Sequence, residues 1–221
     1  MTWALVFDVD GVIADTEVLN AKASVLMFEQ LYGVAVDPED FRPFVGTGDE
    51  RYVEGVAEKH GVTIETQRAV DQRAKNFFDL LQSEPLPAAP GVSELIAAAR
   101  EHPDVSLAIA TSGQKAKQFP VIRGTGLDLG WFDVVITGDD VTLKKPDPQI
   151  YMLAATKLGI PPRRCVAFED APVGVRSAKS AGCPCIAVMT TVDAGELTLA
   201  DIVVDNLADV SLADAERLAG T

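Results

Sequence analysis

Basic charge, histidine, cysteine and long apolar runs are all scarce in this chain. Across 221 residues, no stretch approaches the roughly 18 consecutive apolar positions that a membrane helix needs, so a membrane protein is not expected. The N-terminus carries neither a basic segment nor a cleavage site, so no secretory leader is expected. Lysine and arginine total 19 against 33 acidic residues, a net charge of -14. Nucleic acid needs a basic face to neutralise its phosphates, and an anionic membrane surface makes a similar demand, so neither partner is expected. The three cysteines, Cys165, Cys183 and Cys185, have neither a zinc-site spacing nor that of a secreted disulfide frame. Buried free thiols in a reducing cytoplasm are the expectation. The two histidines, His60 and His102, stand before Gly61 and Pro103 and read as helix-end capping or surface residues. No Ser/His/Asp constellation is suggested. No Gly-x-x-x-x-Gly-Lys-Ser/Thr loop occurs. Gly124-Thr125-Gly126 has no strand directly before it and its third glycine falls at Gly130, so a dinucleotide loop fails and a helix end with a turn is expected. No repeat or low-complexity segment is evident.

What is present begins at the N-terminus. Trp3-Ala4-Leu5-Val6-Phe7 reads as a buried strand, and Asp8-Val9-Asp10-Gly11 follows it. Aspartate is a poor strand residue, so the pair marks the end of the strand and the start of a site or turn. Val9 should point away from the pair, because strand side chains alternate. Both carboxylates then face one crevice at a strand's C-terminal end, where ligands of open α/β sheets bind. Two crowded carboxylates repel, and a divalent cation or a proton on one of them relieves this. A solvated acidic turn would look the same in isolation.

Three later segments repeat the pattern of a strand ending in chemistry. Leu107–Ala110 runs into Thr111-Ser112-Gly113, where hydroxyls and free N–H groups at a helix start form either an anion site or a simple N-cap. Lys144-Lys145-Pro146 precedes a helix expected to start at Asp147 or Pro148. Arg164–Phe168 is a second buried-strand pattern, and Glu169-Asp170 follows. A hard cation favours such an acidic pair, as does a helix N-terminus.

Each segment is a modest signal alone. Their order, Asp-x-Asp-Gly, hydroxyl, Lys-Pro, Glu-Asp, resembles the haloacid dehalogenase-like superfamily of phosphatases and phosphomutases over nearly the whole chain. The resemblance implies Asp8 as nucleophile and Asp10 as general acid and base. It implies Thr111 and the Ser112 N–H as phosphate ligands, and Lys145, adjacent to Pro146, as the bridge between nucleophile and phosphate. Glu169 and Asp170 would bind Mg²⁺ with Asp8 and the Asp10 backbone carbonyl. A small phosphorylated substrate and a monomer are expected. The acidic net charge does not oppose such a substrate, because local lysine charge and a cation can hold it.

The stretch between the first two motifs differs from the rest. Helical runs are expected near Glu17–Tyr32, Asp49–Lys59 and Thr66–Gln82, with almost no strand pattern. Beyond Pro90-Gly91, helix and strand alternate, which implies a parallel sheet covered by helices. The expected organisation is an α/β Rossmann-like core, 1–15 and 87–221, interrupted by a helical cap, 16–86, acting as a lid. In the cap loop, Gly46, Thr47 and Arg51 are candidate substrate contacts, with pairing of Arg51 to Asp49 or Glu54 as the plainer alternative. Phosphatase and hexose-phosphate mutase share the core motifs. Asn20 and Asp49 stand where β-phosphoglucomutase-like enzymes carry histidine and arginine. A negative Asp49 would repel a second phosphate, so phosphatase is preferred.

Overall fold

The computed structural model describes residues 1–45 and 48–220. Gly46 and Thr47, two of the expected substrate contacts, lie outside the described residues. In chain order the elements are β1 (Trp3–Phe7), α1 (Glu17–Tyr32), α2 (Asp49–His60), α3 (Thr66–Ser83), α4 (Val92–Glu101), β2 (Val105–Ala110), α5 (Lys115–Gly124), β3 (Val134–Ile136), α6 (Gln149–Leu158), β4 (Cys165–Glu169), α7 (Pro172–Ala181), β5 (Cys185–Val188), β6 (Ile202–Val204) and α8 (Leu212–Ala219). They divide into two compact units, 1–15 with 86–221, and 16–85.

The first unit is a six-stranded sheet in the order β3-β2-β1-β4-β5-β6, with every pairing parallel. Its central strands are continuous apolar runs rather than alternating ones, because helices cover both faces. All five residues of β1 and of β4 are buried. Ala4 and Val6 pack in one cluster with Tyr151 and Ala154 of α6 and with Val175 and Ala178 of α7. By alternation Trp3, Leu5 and Phe7 face the other way, and α4 and α8 lie beside β2 and β1 respectively. β1 pairs with β2 on one side and β4 on the other, so the strand order reverses direction at β1. The crevice beyond the C-terminal ends of such strands is where an open α/β sheet binds ligands. The first acidic pair, the hydroxyls and the second acidic pair each follow or end one of these three strands.

Two boundaries differ from expectation. Glu169 is the last residue of β4 rather than the first residue beyond it, and α6 starts at Gln149, after Pro148. Gly124 closes α5, and Gly126 follows with a φ of 83°, the turn expected there. All three cysteines are free and buried. Among the described residues, no helix is long and apolar enough to cross a membrane.

The second unit is helical. Its core joins Met27 and Phe28 of α1, Phe41 of the segment before α2, Tyr52, Val53 and Val56 of α2, and Ala69 of α3. Pro38–Phe44 forms a 3-10 turn capped by Asp37, whose side chain accepts from the Glu39 N–H. Asp40 of that turn draws in Lys59 at 2.5 Å and His60 at 2.6 Å from the end of α2. These two partners hold its carboxyl at about 2. His60, the last residue of α2, stands at the helix end expected, and its Nε2 meets the Asp40 carboxylate there. His102 likewise stands at a helix end, where its Nδ1 accepts from the Asp104 N–H.

Candidate active site

β1 delivers Asp8 to the crevice, and the Asp8 N–H continues the ladder by donating to the Phe168 carbonyl of β4 at 3.0 Å. That bond aligns the ends of the two strands, so Asp8, Glu169 and Asp170 converge. One ligand oxygen from each lies within 4.8 Å of the others, and all three residues are buried. Gly11 makes the close approach possible. It has a φ of +78°, and a Cβ there would come within 1.8 Å of Asp170 Oδ2. Only glycine adopts that conformation freely while leaving that space.

Lys145 enters the cluster from the loop before α6. Its Nζ lies 2.7 Å from Asp8 Oδ1, 2.6 Å from Glu169 Oε1 and 2.9 Å from the Ala110 carbonyl, and its side chain is 6% exposed. Lys144 is exposed and reaches only the Ser112 carbonyl, at 3.4 Å. Of the two lysines, Lys145 is the one in the cluster.

The charges do not balance. Three buried carboxylates face one ammonium. Burial drives the Asp8 pKa upward against the pull of Lys145, and Glu169 and Asp10 add to the rise, to about 7. Burial, with Asp8 and Glu169 beside it, also raises Asp170 well above the usual carboxyl range. Burial works against the Lys145 charge, but Asp8 and Glu169 outweigh it and leave its pKa raised. Hard oxygen donors with excess negative charge are the donor set that Mg²⁺ or Ca²⁺ takes, so the residues fit a divalent cation.

The remaining expected residues surround this centre. Thr111, 1% exposed, donates its N–H to the Ile136 carbonyl, and its hydroxyl accepts from the Gly113 N–H at 3.1 Å. The Ser112 hydroxyl oxygen is buried with no hydrogen-bond partner. Asp10 is separate from the three-acid cluster. Its Oδ2 accepts from Gln118 Nε2 at 2.6 Å, and its Oδ1 lies 3.8 Å from Lys117 Nζ.

Three contributors escaped the sequence reading. Tyr151 donates its hydroxyl to Glu169 Oε1 at 2.5 Å, and Lys145 Nζ sits 5.2 Å from its ring centroid. The Thr191 hydroxyl donates to Asp170 Oδ2. Gln118 holds Asp10. Tyr151 reads as an ordinary core aromatic of α6, and Thr191 lies in a loop without a motif. Only Gln118 carried a signal, since it falls on the buried stripe of its helix.

In the helical unit, Arg51 Nη1 is 2.7 Å from Glu58 Oε1 and its guanidinium lies 5.2 Å from the Phe44 ring centroid. The partner is thus Glu58, two helical turns on and on the same face, rather than Asp49 or Glu54. Asp49 instead pairs with the buried Arg73 at 2.6 Å, and Arg73 also donates to Asn20 Oδ1 at 3.0 Å. The two positions that depart from the mutase pattern are therefore joined by one arginine. Asp49 is not the uncompensated negative charge that the sequence reading assumed.

Comparison with known proteins agrees with this geometry. The family model of haloacid dehalogenase-like hydrolases matches residues 4–182. The chain belongs to that family. Validoxylamine A 7'-phosphate phosphatase of Streptomyces hygroscopicus subsp. limoneus is 33% identical over 92% of this chain and 93% of its own. Suppressor of quenching 1 of Arabidopsis thaliana, a chloroplastic protein, is 34% identical over 96% of this chain, which spans only 20% of that longer protein. A crystal structure of a CbbY variant from Rhodobacter sphaeroides, in complex with xylulose-(1,5)bisphosphate, superposes with a TM-score of 0.81 at 31% identity, covering 98% of this chain and all of the other. Within the haloacid dehalogenase-like family this chain is a phosphoric monoester hydrolase, on the evidence of its phosphatase relatives.

Proposed function

We propose that this chain is a Mg²⁺-dependent phosphatase of a small phosphorylated sugar, working through an aspartyl-phosphate on Asp8. The observation that carries this reading is the meeting of Asp8 with Lys145, Glu169 and Asp170 at the switch point of the sheet. An Asp8 oxygen attacks phosphorus, the bond to the sugar oxygen breaks, and Asp10 gives its proton to the departing oxygen. Asp10 then takes a proton from water, which attacks the phosphorus and returns Asp8 and inorganic phosphate. Lys145 neutralises the incoming phosphoryl charge. Thr111 and the Ser112 N–H are the proposed holders of its oxygens. Asp8, Glu169, Asp170 and the Asp10 carbonyl would hold Mg²⁺, which when bound keeps the carboxylates ionised and neutralises phosphoryl charge. The inserted unit, 16–85, is proposed as the cap that selects the sugar. The phosphatase relative and the bisphosphate bound by the CbbY variant support this substrate class.

Pairing of Asp49 with Arg73 favours one second reading, a hexose-phosphate mutase, because it lowers the repulsion toward a second phosphate. One assay separates the two. Purified protein with Mg²⁺ is given β-glucose 1-phosphate and a trace of glucose 1,6-bisphosphate, and free phosphate and glucose 6-phosphate are measured together. Xylulose 1,5-bisphosphate is run in parallel for free phosphate. Phosphate without isomer is the expected result, and rapid glucose 6-phosphate with little phosphate would overturn the phosphatase reading.

A further inference from the structure

The buried stripe of α5 consists of Gln118, Val121 and Ile122, spaced i, i+3, i+4. Such a stripe calls for an apolar residue at its first position. Gln118 occupies it with 0% exposure, and its Oε1 is buried with no hydrogen-bond partner. An unpaired buried carbonyl oxygen destabilises the fold, so packing does not account for the residue. The other end of the amide has a definite task, since Nε2 donates to Asp10 Oδ2 at 2.6 Å. The space it crosses exists because residue 113 is glycine. A Cβ on Gly113 would come within 2.0 Å of Gln118 Nε2. Two separate positions therefore serve one contact with Asp10.

We propose that Gln118 is a positioning residue that fixes the carboxyl plane of Asp10. The amide grips Oδ2 and so sets the plane in which Asp10 presents its proton to the leaving group. This rests on the acid role of Asp10 in the proposed function. Gln118 touches no reacting atom and acts only through Asp10. Without the amide, Asp10 keeps its chemistry and loses its aim, which lowers kcat more than it raises KM. The loss should be greatest where protonation of the leaving oxygen matters most.

Gln118→Met keeps the volume and removes the donor. Gln118→Leu restores an apolar stripe and serves as a second variant should the methionine pack poorly. Each is compared with wild type and Asp10→Asn on a sugar phosphate, a poor leaving group, and on p-nitrophenyl phosphate, a good one, with a thermal melt for each protein. The expected result is an unchanged or raised melting midpoint, with kcat on the sugar phosphate down about tenfold and on the aryl phosphate less than about threefold. Unchanged kcat on the sugar phosphate, or equal losses on both substrates, in a folded variant overturns the proposal. Asp10→Asn shows which reading has failed. If it discriminates between the substrates and the Gln118 variants do not, only the positioning role falls. If Asp10→Asn itself loses both activities equally, the acid role falls and this proposal with it.

Discussion

The two units each bury a cation among acids, and they solve the problem differently. In the α/β unit, Lys145 faces Asp8 and Glu169 directly and Asp170 is nearby, so negative charge is in excess. In the helical unit, Arg73 pairs with one carboxylate, Asp49, and also meets the Asn20 amide and the Tyr52 ring at 4.6 Å, while its Nε is buried without a hydrogen-bond partner. Asp49 itself is 68% exposed on its side chain, so water shares its solvation. The second arrangement pairs one cation with one carboxylate and is nearly neutral. The first is unbalanced, and an unbalanced buried cluster is stable only if something else supplies charge. The difference locates the chemistry without reference to any relative.

Replacing the residue at the centre of the imbalance should give the largest effect. Asp8→Asn removes one of the excess charges and the proposed nucleophile together. Turnover should fall at least about 10⁴-fold. In the absence of divalent cation at pH 8, the melting midpoint should hold or rise, because the wild-type carboxylate is ionised there at a cost. Appreciable residual turnover would end the nucleophile assignment. A clear loss of stability would show that the Lys145 ion pair outweighs the excess charge.

The cation itself is the next test. Asp8 has its pKa raised from an ordinary 3.8 to about 7, so its contribution to stability is fully present below about 3.8 and is lost as pH rises through about 7. Asp170 shifts in the same direction. A bound divalent cation reverses this, because it prefers both groups ionised and protons compete with it. Saturating Mg²⁺ should therefore raise the melting midpoint more at pH 8 than at pH 5. At a concentration of about 100 Kd the gain is about 2.7 kcal/mol. An equal shift at both pH values would argue that the ion binds away from this cluster.

Much of this contrast was legible in the residues. The strand ends of Asp8 and Glu169 were visible because apolar runs stop abruptly at acids. The three helices of the insertion were visible from periodicity, to within a residue at their ends. Lys145 was preferred to Lys144 for its place beside Pro146, and it is the lysine that reaches Asp8. The sequence is silent where partners are distant and chemically ordinary. Tyr151 and Thr191 meet their acids only after the sheet has formed, at separations of 18 and 21 residues, and Gln118, a polar residue on a buried stripe, hints at a role but not at a partner 108 residues away. Arg73 illustrates the same point, because Asn20 and Asp49 looked like independent departures until the packing of α1, α2 and α3 joined them.

The balanced network should respond to deletion with stability rather than chemistry. Arg73→Met leaves Asp49 able to turn to water and strands the buried Asn20 oxygen. The expected cost is about 1–3 kcal/mol in chemical denaturation. If KM for a sugar phosphate rises tenfold while the denaturation midpoint stays put, Arg73 is a substrate ligand and the network is not merely internal.

Arg51 should give the smallest effect, and it tests the contrast from the other side. Its bond to Glu58 joins two side chains that are 46% and 65% exposed. Solvent and salt screen such a pair, and holding two long side chains together opposes the attraction. Arg51→Ala should leave the melting midpoint within experimental error. Its stacking on Phe44 is likewise at the exposed margin, so loss of the guanidinium leaves no buried charge behind. KM for sugar monophosphates should then be unchanged. A several-fold rise in KM that appears only with bisphosphorylated sugars would mean that Arg51 exchanges Glu58 for the second phosphate, and the helical unit would hold a substrate cation after all.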